Sequence, residues 1–360
     1  MHRRRLTAVC AVLAISAGLL AGCSEERDRE RGDCEAVSAD FDWAQPSRSD
    51  DARFEVSGPG WIGGDSTYSV QLPQDRTLWL FSDSLIGTVD DGGNPEPGMT
   101  MVHNALVVED GSGQLSTLTR EGPESFFPDP GEKTYYWVQD AKVEGGELLV
   151  LLSRTKQVGE HGFEWERNTL ARVSLPELEV TEIQEGFDGP VAWGAGLMTT
   201  AQHTWIYGIE DREKAKHLHV ARAPAGSLAD RSTWEYLGAD GWEDEPDESE
   251  RLTTGVANEL SVSPFRDGYL MISSDTSEPY SPKINAWTSC SPTGPWEQPQ
   301  TIYETPETQG QHFTYNAHGH PELSQDGRLL ISYNVNTFDF DELMNNPTLY
   351  RPKFISLDLP

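Results

Sequence analysis

The chain has 360 residues, 59 of them Asp or Glu against 27 Lys or Arg, for a formal net charge of −32. So acidic a surface repels phosphate backbones and anionic headgroups, which excludes nucleic-acid binding and attachment to membranes through a basic patch. A neutral or cationic ligand remains.

In chain order, the first element is a basic stub (Arg3, Arg4, Arg5) followed by an apolar run from Leu6 to Ala21 and the string "LLAGC" at 19–23. Its layout is that of an export signal over residues 1–22, and the run falls short of the ~20 residues a spanning helix needs. Cys23 directly after Leu-Ala-Gly resembles the lipobox of bacterial lipoproteins. That resemblance implies lipidation at Cys23, which becomes the first mature residue and anchors an exported protein at the extracytoplasmic face of the cell membrane. The alternative is an ordinary secretory signal with an incidental cysteine. Residues 23–50 open with "SEERDRERGD", a charged run with nothing to bury, and are expected to form a solvated tether. With Cys10 lost in the signal and Cys23 lipidated, Cys34 and Cys290 remain, and an oxidising compartment makes their pairing as a disulfide plausible.

From 51 to 360 the pattern is of short apolar alternations between Gly, Pro, Asp and Ser clusters: "RTLWLFSDS", "HNALVVEDG", "GELLVLLSR", "HTWIYGIE", "GYLMISSD", "RLLISYNV". Helical periodicity is nearly absent, and the fold class is all-β. One unit recurs, from Gly63, Val138, Gly194, Ala257 and Gly319: a polar start, a strand, a tight turn and a strongly apolar strand. A second hairpin lies between units, as in "INAWTSCSPTGPWEQPQTIYE". Five double hairpins match five four-stranded blades of a β-propeller, whose ring closure removes exposed sheet edges. The long stretch from Asp83 to Tyr135 leaves room for a sixth. The protein is expected to be a monomer.

Aligning the units by their apolar second strands places Asp65, Asp140, Glu259 and Glu322 near the start of the first, channel-lining strand, with Asp83 ending the second strand of the first blade. Like charges converging on one funnel raise one another's pKa and cost stability unless used. Paired carboxylates in a cleft are what glycosidic cleavage requires, one donating a proton and the other activating water or attacking carbon. Trp61, Tyr136, Trp137 and Tyr315 flank these positions as candidate faces for sugar rings or as blade packing. His318 and His320 alternate in "YNAHGHPE", so a strand would turn both to one side. With Glu322 they are candidates for substrate contact, for blade closure or for holding a structural cation in the channel; no cofactor is otherwise required. His103 and Asn104 are candidates for the channel wall. A phosphate loop, a GxSxG elbow, HExxH and a CxxC pair are all missing from the sequence.

On the strings "GGDSTYSVQLPQDRTLWLFSDSLIG", "MVHNALVVEDG", "SPTGPWEQPQTIY" and "YNAHGHPELS…LLISYNVN", the chain resembles five-bladed propeller glycoside hydrolases of the arabinanase and levansucrase kind. It is more closely similar to an actinobacterial domain-of-unknown-function group related to endo-D-arabinanases, which act on mycobacterial cell-wall arabinan. The resemblance covers Trp61 to Val335. It implies that Asp65 is the base or nucleophile and Asp83 the second aspartate of the endo-D-arabinanase pattern. It implies that Asp140 tunes and orients, and it leaves Glu259 as candidate general acid, on a different blade from the superfamily's usual one. Ser84 follows Asp83 where relatives often carry Thr. Two functions are therefore expected: a cell-surface glycosidase, an endo-arabinanase in its sharpest form, or a non-catalytic propeller that binds glycan or protein at the envelope.

Overall fold

The computed structural model describes residues 37–118, 120, 122–159, 162–212 and 215–360. Cys23 and Cys34, and with them the expected lipid anchor and cysteine pairing, lie outside the described residues. Cys290 itself is disulfide-bonded, and Val37 packs against Gly268 beside it.

The strands form five antiparallel sheets. β1 (Gln45–Pro46) precedes blade 1, which comprises β2 (Gly58–Leu72), β3 (Arg76–Val89), β4 (Thr100–Val102), β5 (Ala105–Glu109) and β6 (Leu115–Leu118). Blade 2 is β7 (Thr134–Glu144), β8 (Glu147–Val158), β9 (Gly162–Ser174) and β10 (Val180–Glu185). Blade 3 is β11 (Ala192–Thr199), β12 (His203–Arg212), β13 (Ala215–Pro224), β14 (Glu235–Gly238) and β15 (Gly241–Glu243). Blade 4 is β16 (Leu260–Phe265), β17 (Gly268–Ser274), β18 (Lys283–Ser289) and β19 (Gln300–Glu304). Blade 5 takes β20 (His312–Gln325), β21 (Arg328–Thr337) and β22 (Lys353–Asp358) from the C-terminus, and β1 from the N-terminus as its outer strand. The inner strands β2, β7, β11, β16 and β20 touch in turn and close the ring. This is a five-bladed β-propeller. The stretch from Asp83 to Tyr135 holds the outer strands of blade 1 rather than a sixth blade.

The core lies between blades, one apolar cluster at each seam. Each sheet is thus covered on both faces, which is why a strand such as β8 reads as the nearly continuous apolar run "LLVLL" instead of alternating. The ring is closed at the seam of blades 1 and 5. There Phe54 is fully buried and its ring meets Trp61, Trp79, Phe81 and Phe354 at centroid distances of 5.1–5.9 Å.

The folded body starts earlier than the boundary expected at residue 51. Phe41 and Ala44 are buried, the Ala44 amide donates to the Ile302 carbonyl, and Gln45 pairs with Ser356. The charged run hid this because the apolar residues that follow it are few and spaced by acids; their partners lie at the other end of the chain.

Candidate active site

The site grows from irregularities in the inner strands. β2 breaks register on both sides of Ser66, and Ser66 and Thr67 hold φ of 73° and 80°. Two successive non-glycine residues in the left-handed region cost on the order of 1–3 kcal/mol each, and such strain collects at functional sites. The bulge re-aims Asp65 into the channel. Gly64 precedes it because a Cβ there would lie 2.5 Å from Ser84 Oγ and 3.0 Å from the Asp83 carbonyl. Glycine thus lets β2 and β3 approach where their aspartates meet.

At the open end of the channel Asp65 and Asp83 stand on neighbouring strands of blade 1. Tyr315 of blade 5 donates its hydroxyl to Asp65 Oδ2 at 3.0 Å, and Asn336 donates to the Tyr315 hydroxyl at 3.1 Å. Burial and the adjacent Asp83 charge push Asp65 up to about 8, against hydrogen bonding from Tyr315, Tyr350 and the Asp83 amide. On the other flank, Asp83 Oδ1 accepts from Trp137 Nε1 at 2.9 Å and lies 3.2 Å from His103 Nδ1. The His103 ring stacks on Tyr135 at 3.9 Å, and its Nε2 lies 3.9 Å from Asp129. Burial opposes protonation of His103, but the hydrogen bond and charge of Asp83 and the charge of Asp129 outweigh it and raise its pKa. Asp83 and His103 keep 25% and 38% of their side-chain surface exposed, so this end of the channel is open to a ligand.

The remaining acids do not join that pair. The expected ring of carboxylates is divided among separate hydrogen-bond partners, and the inner strands β2, β7 and β20 each break register at a bulge. Glu259 lies beneath the Ser66 bulge, 5% exposed, and accepts from Ser66 Oγ at 2.7 Å. His318 Nε2 donates to the Thr67 carbonyl at 3.1 Å, leaving Nδ1 3.7 Å from Glu259 Oε2. Burial holds Glu259 well above the carboxylate range and brings His318 down to about 4, so burial disfavours the charged form of both. Asp140 accepts the amides of Ala141 and Leu197 at 2.7 and 2.6 Å. Burial lifts Asp140 to about 7. Glu322, exposed at the surface, accepts from Ser69.

This arrangement reassigns several expected roles. Glu259 is closed off from the mouth and suits a positioning role under Ser66 rather than proton donation to a ligand. Glu259→Gln is therefore expected to keep activity and to change stability by no more than about 1 kcal/mol, since an amide retains both contacts. Loss of roughly 10²–10⁴-fold in kcat would restore it as the acid. Trp61 is 3% exposed and stacks on Phe81 at 4.3 Å in the blade 1–5 seam, so it offers no face to a ligand. Asn104 is buried, donating to the Phe127 and Tyr136 carbonyls and accepting the Phe127 amide; it holds a chain crossing between blades. Tyr136 is buried in the seam of blades 1 and 2, and its hydroxyl donates to Glu185. His318 and His320 do share a side, 4.9 Å apart. His320, however, engages Ser69 and Ser332 with its two nitrogens at 2.6 and 2.8 Å, leaving neither for a metal or substrate. Among the described residues no group of three or more His, Cys, Asp and Glu is arranged to hold a metal ion. Of the expected residues, Asp65, Asp83, His103, Trp137 and Tyr315 converge at the mouth. Tyr350, Tyr135, Asp129 and Asn336 join them unforeseen; Tyr350 ends a 3₁₀ turn, Pro347–Tyr350, in the string "NPTLYRP", which carries no strand signal.

The fold has relatives among solved structures. A provisionally assigned hydrolase of Bacteroides ovatus superposes with a TM-score of 0.75 over 91% of this chain and 94% of its own, at 19% identity. A family-43 glycoside hydrolase, a β-1,3-galactosidase, superposes with a TM-score of 0.51 over 83% of this chain and 59% of its own, at 8% identity. These likenesses establish the propeller. No curated protein matches the sequence. The match that covers most of the chain, residues 52–358, is to a family described as a domain of unknown function, DUF5005, and the protein belongs to that family.

Proposed function

We propose that the protein is a glycoside hydrolase of the cell envelope whose reacting groups are Asp65 and Asp83. The observation that carries this reading is the pair itself: two carboxyl groups on adjacent strands, Asp83 with 25% of its side chain exposed and Asp65 buried beside it. Burial and its neighbour keep Asp65 protonated up to about pH 8, while Asp83 is held as an acceptor by Trp137 and His103. The resemblance makes Asp65 the base or nucleophile, but its raised pKa suits the opposite role in this reading: it donates its proton to the glycosidic oxygen as the C–O bond breaks. Asp83 faces the anomeric carbon and either takes a proton from the attacking water or attacks the carbon itself, as paired carboxylates do in glycosidases. The like-folded β-1,3-galactosidase is in keeping with this chemistry.

The substrate we propose is arabinan, D-arabinan in the first instance, cleaved within the chain; its support is the sequence resemblance together with the acidic charge, which favours an uncharged polymer. We further propose export, lipidation at Cys23, a Cys34–Cys290 disulfide and a monomeric protein on the extracytoplasmic face, on the strength of "LLAGC" and the cysteine count. Product release from D-arabinan, L-arabinan, galactan, xylan and fructan, followed by anion-exchange chromatography, tests the activity. Oligosaccharides from one polymer, abolished by Asp83→Asn, are expected. Silence across the panel from folded protein would sink the hydrolase and favour a binding propeller.

A further inference from the structure

Tyr280, Phe313 and Phe338 form a cluster of rings at the blade 4–5 side of the mouth. Tyr280 meets Phe313 and Phe338 at 5.0 Å each, and Phe313 meets Phe338 at 4.6 Å. Tyr280 and Phe338 are 57% and 54% exposed. A single exposed apolar side chain needs no explanation, whereas contiguous exposed rings mark contact surfaces. Tyr280 adopts a left-handed backbone, φ 54°. The cluster also leads inward: Phe313 lies 5.5 Å from Tyr315, the residue that bonds Asp65. Across the carboxylate pair, blade 2 presents Trp137 against Phe163 at 4.7 Å, with Phe163 60% exposed. Blades 5 and 2 are the two ring neighbours of blade 1, so the aromatic groups flank Asp65 and Asp83 from opposite sides.

We infer that Tyr280, Phe313 and Phe338 are a stacking platform for the sugar rings of an uncharged polysaccharide. A bound chain then crosses the mouth, held on both sides of the bond to be cut. Ring faces suit the C–H faces of sugars, and a net charge of −32 disfavours anionic polymers. Continuity of the cluster with Tyr315 selects the occupant of the carboxylate site over an unrelated partner. The inference rests on Asp65 and Asp83 being the reacting centre.

The test is native-gel retardation by soluble D-arabinan, with galactan and arabinoxylan in parallel, using the Asp83→Asn chain so that the polymer survives. In that background Tyr280→Ala with Phe338→Ala is expected to weaken retardation about tenfold, equivalent to about 1.4 kcal/mol. Tyr280→Phe, which keeps the ring, and Trp43→Ala, an exposed aromatic on another face, are expected to change nothing. Unaltered thermal midpoints would show that the variants fold. Unchanged retardation in the double variant, or no retardation by any of the three polymers, overturns the platform. Platform-dependent retardation without product release from the native chain overturns the hydrolase and leaves the platform. Product release together with unchanged retardation does the reverse.

Discussion

Asp83→Asn and Asp65→Asn are each expected to lower kcat/KM on the cleaved polysaccharide by roughly 10²–10⁴-fold, the range lost with a positioned acid or base. The two variants are expected to differ on a substrate with an activated aryl leaving group, which needs no protonation. Asp65→Asn should recover much of its rate there, and Asp83→Asn should not. Recovery in the opposite variant would reverse the roles, and full activity of either on the polymer would remove it from the reaction. The pH dependence follows from the direction of the Asp65 shift. Its proton is present below about 8 and lost above, so kcat/KM should fall on the alkaline side through about pH 8, and Asp65→Asn should lack that limb. Stability shares the origin. Between its ordinary 3.8 and about 8, folded Asp65 holds a proton that the unfolded chain has released, so stability declines as pH rises through that window. Asp65→Asn should therefore unfold at a higher temperature than the native chain at pH 8, a trade of stability for function.

Phe54→Ala is expected to destabilise the protein by about 3–5 kcal/mol, the range for deleting a fully buried aromatic side chain. Phe54 is where the N-terminal segment locks the ring. Its ring stacks on Phe354 of blade 5 at 6° interplanar angle and meets Trp79 of blade 1 edge-on. Adjacent groups reinforce the same seam: Asp51 Oδ1 accepts the Phe354 amide at 2.7 Å, and Arg53 donates to Glu109 at 2.7 Å. Glu109 in turn accepts from Trp79 Nε1 at 2.9 Å. The cavity would open between the first and last blades, where closure depends on two ends of the chain meeting. Urea unfolding should show a lower midpoint at unchanged slope. Trp43→Ala, 55% exposed in the same segment, should stay within about 0.5 kcal/mol of the native chain. A Phe54→Ala midpoint no different from that of Trp43→Ala would show that the seam holds without this ring.

Sequence alone was enough for the architecture, because blades are local. Each hairpin's strands are adjacent in the chain, their apolar residues are contiguous, and tight Gly or Asp turns separate them. Five copies of that pattern specify a ring. It also singled out Asp65, Asp83, Trp137 and Tyr315, since each lies on or beside a strand that lines the channel. What the tertiary structure decided was burial and partnership. Bulges at Ser66, at 138–141 and at 315–318 break the register of the inner strands where no spacing rule reports it. Four acids that align in sequence therefore meet different partners: Asp65 accepts from Tyr315, Glu259 from Ser66, Asp140 from two backbone amides and Glu322 from Ser69. Trp61 and Trp137 are both strand tryptophans near an acid, yet one is sealed in a seam and the other bonds Asp83. Tyr350 reaches the mouth from a 3₁₀ turn and Asp129 and Phe338 from loops, and the Phe41–Phe54 segment packs against strands of blades 4 and 5, far along the chain. Such contacts depend on how blades turn about the common axis, a property of the closed ring rather than of any segment of the chain.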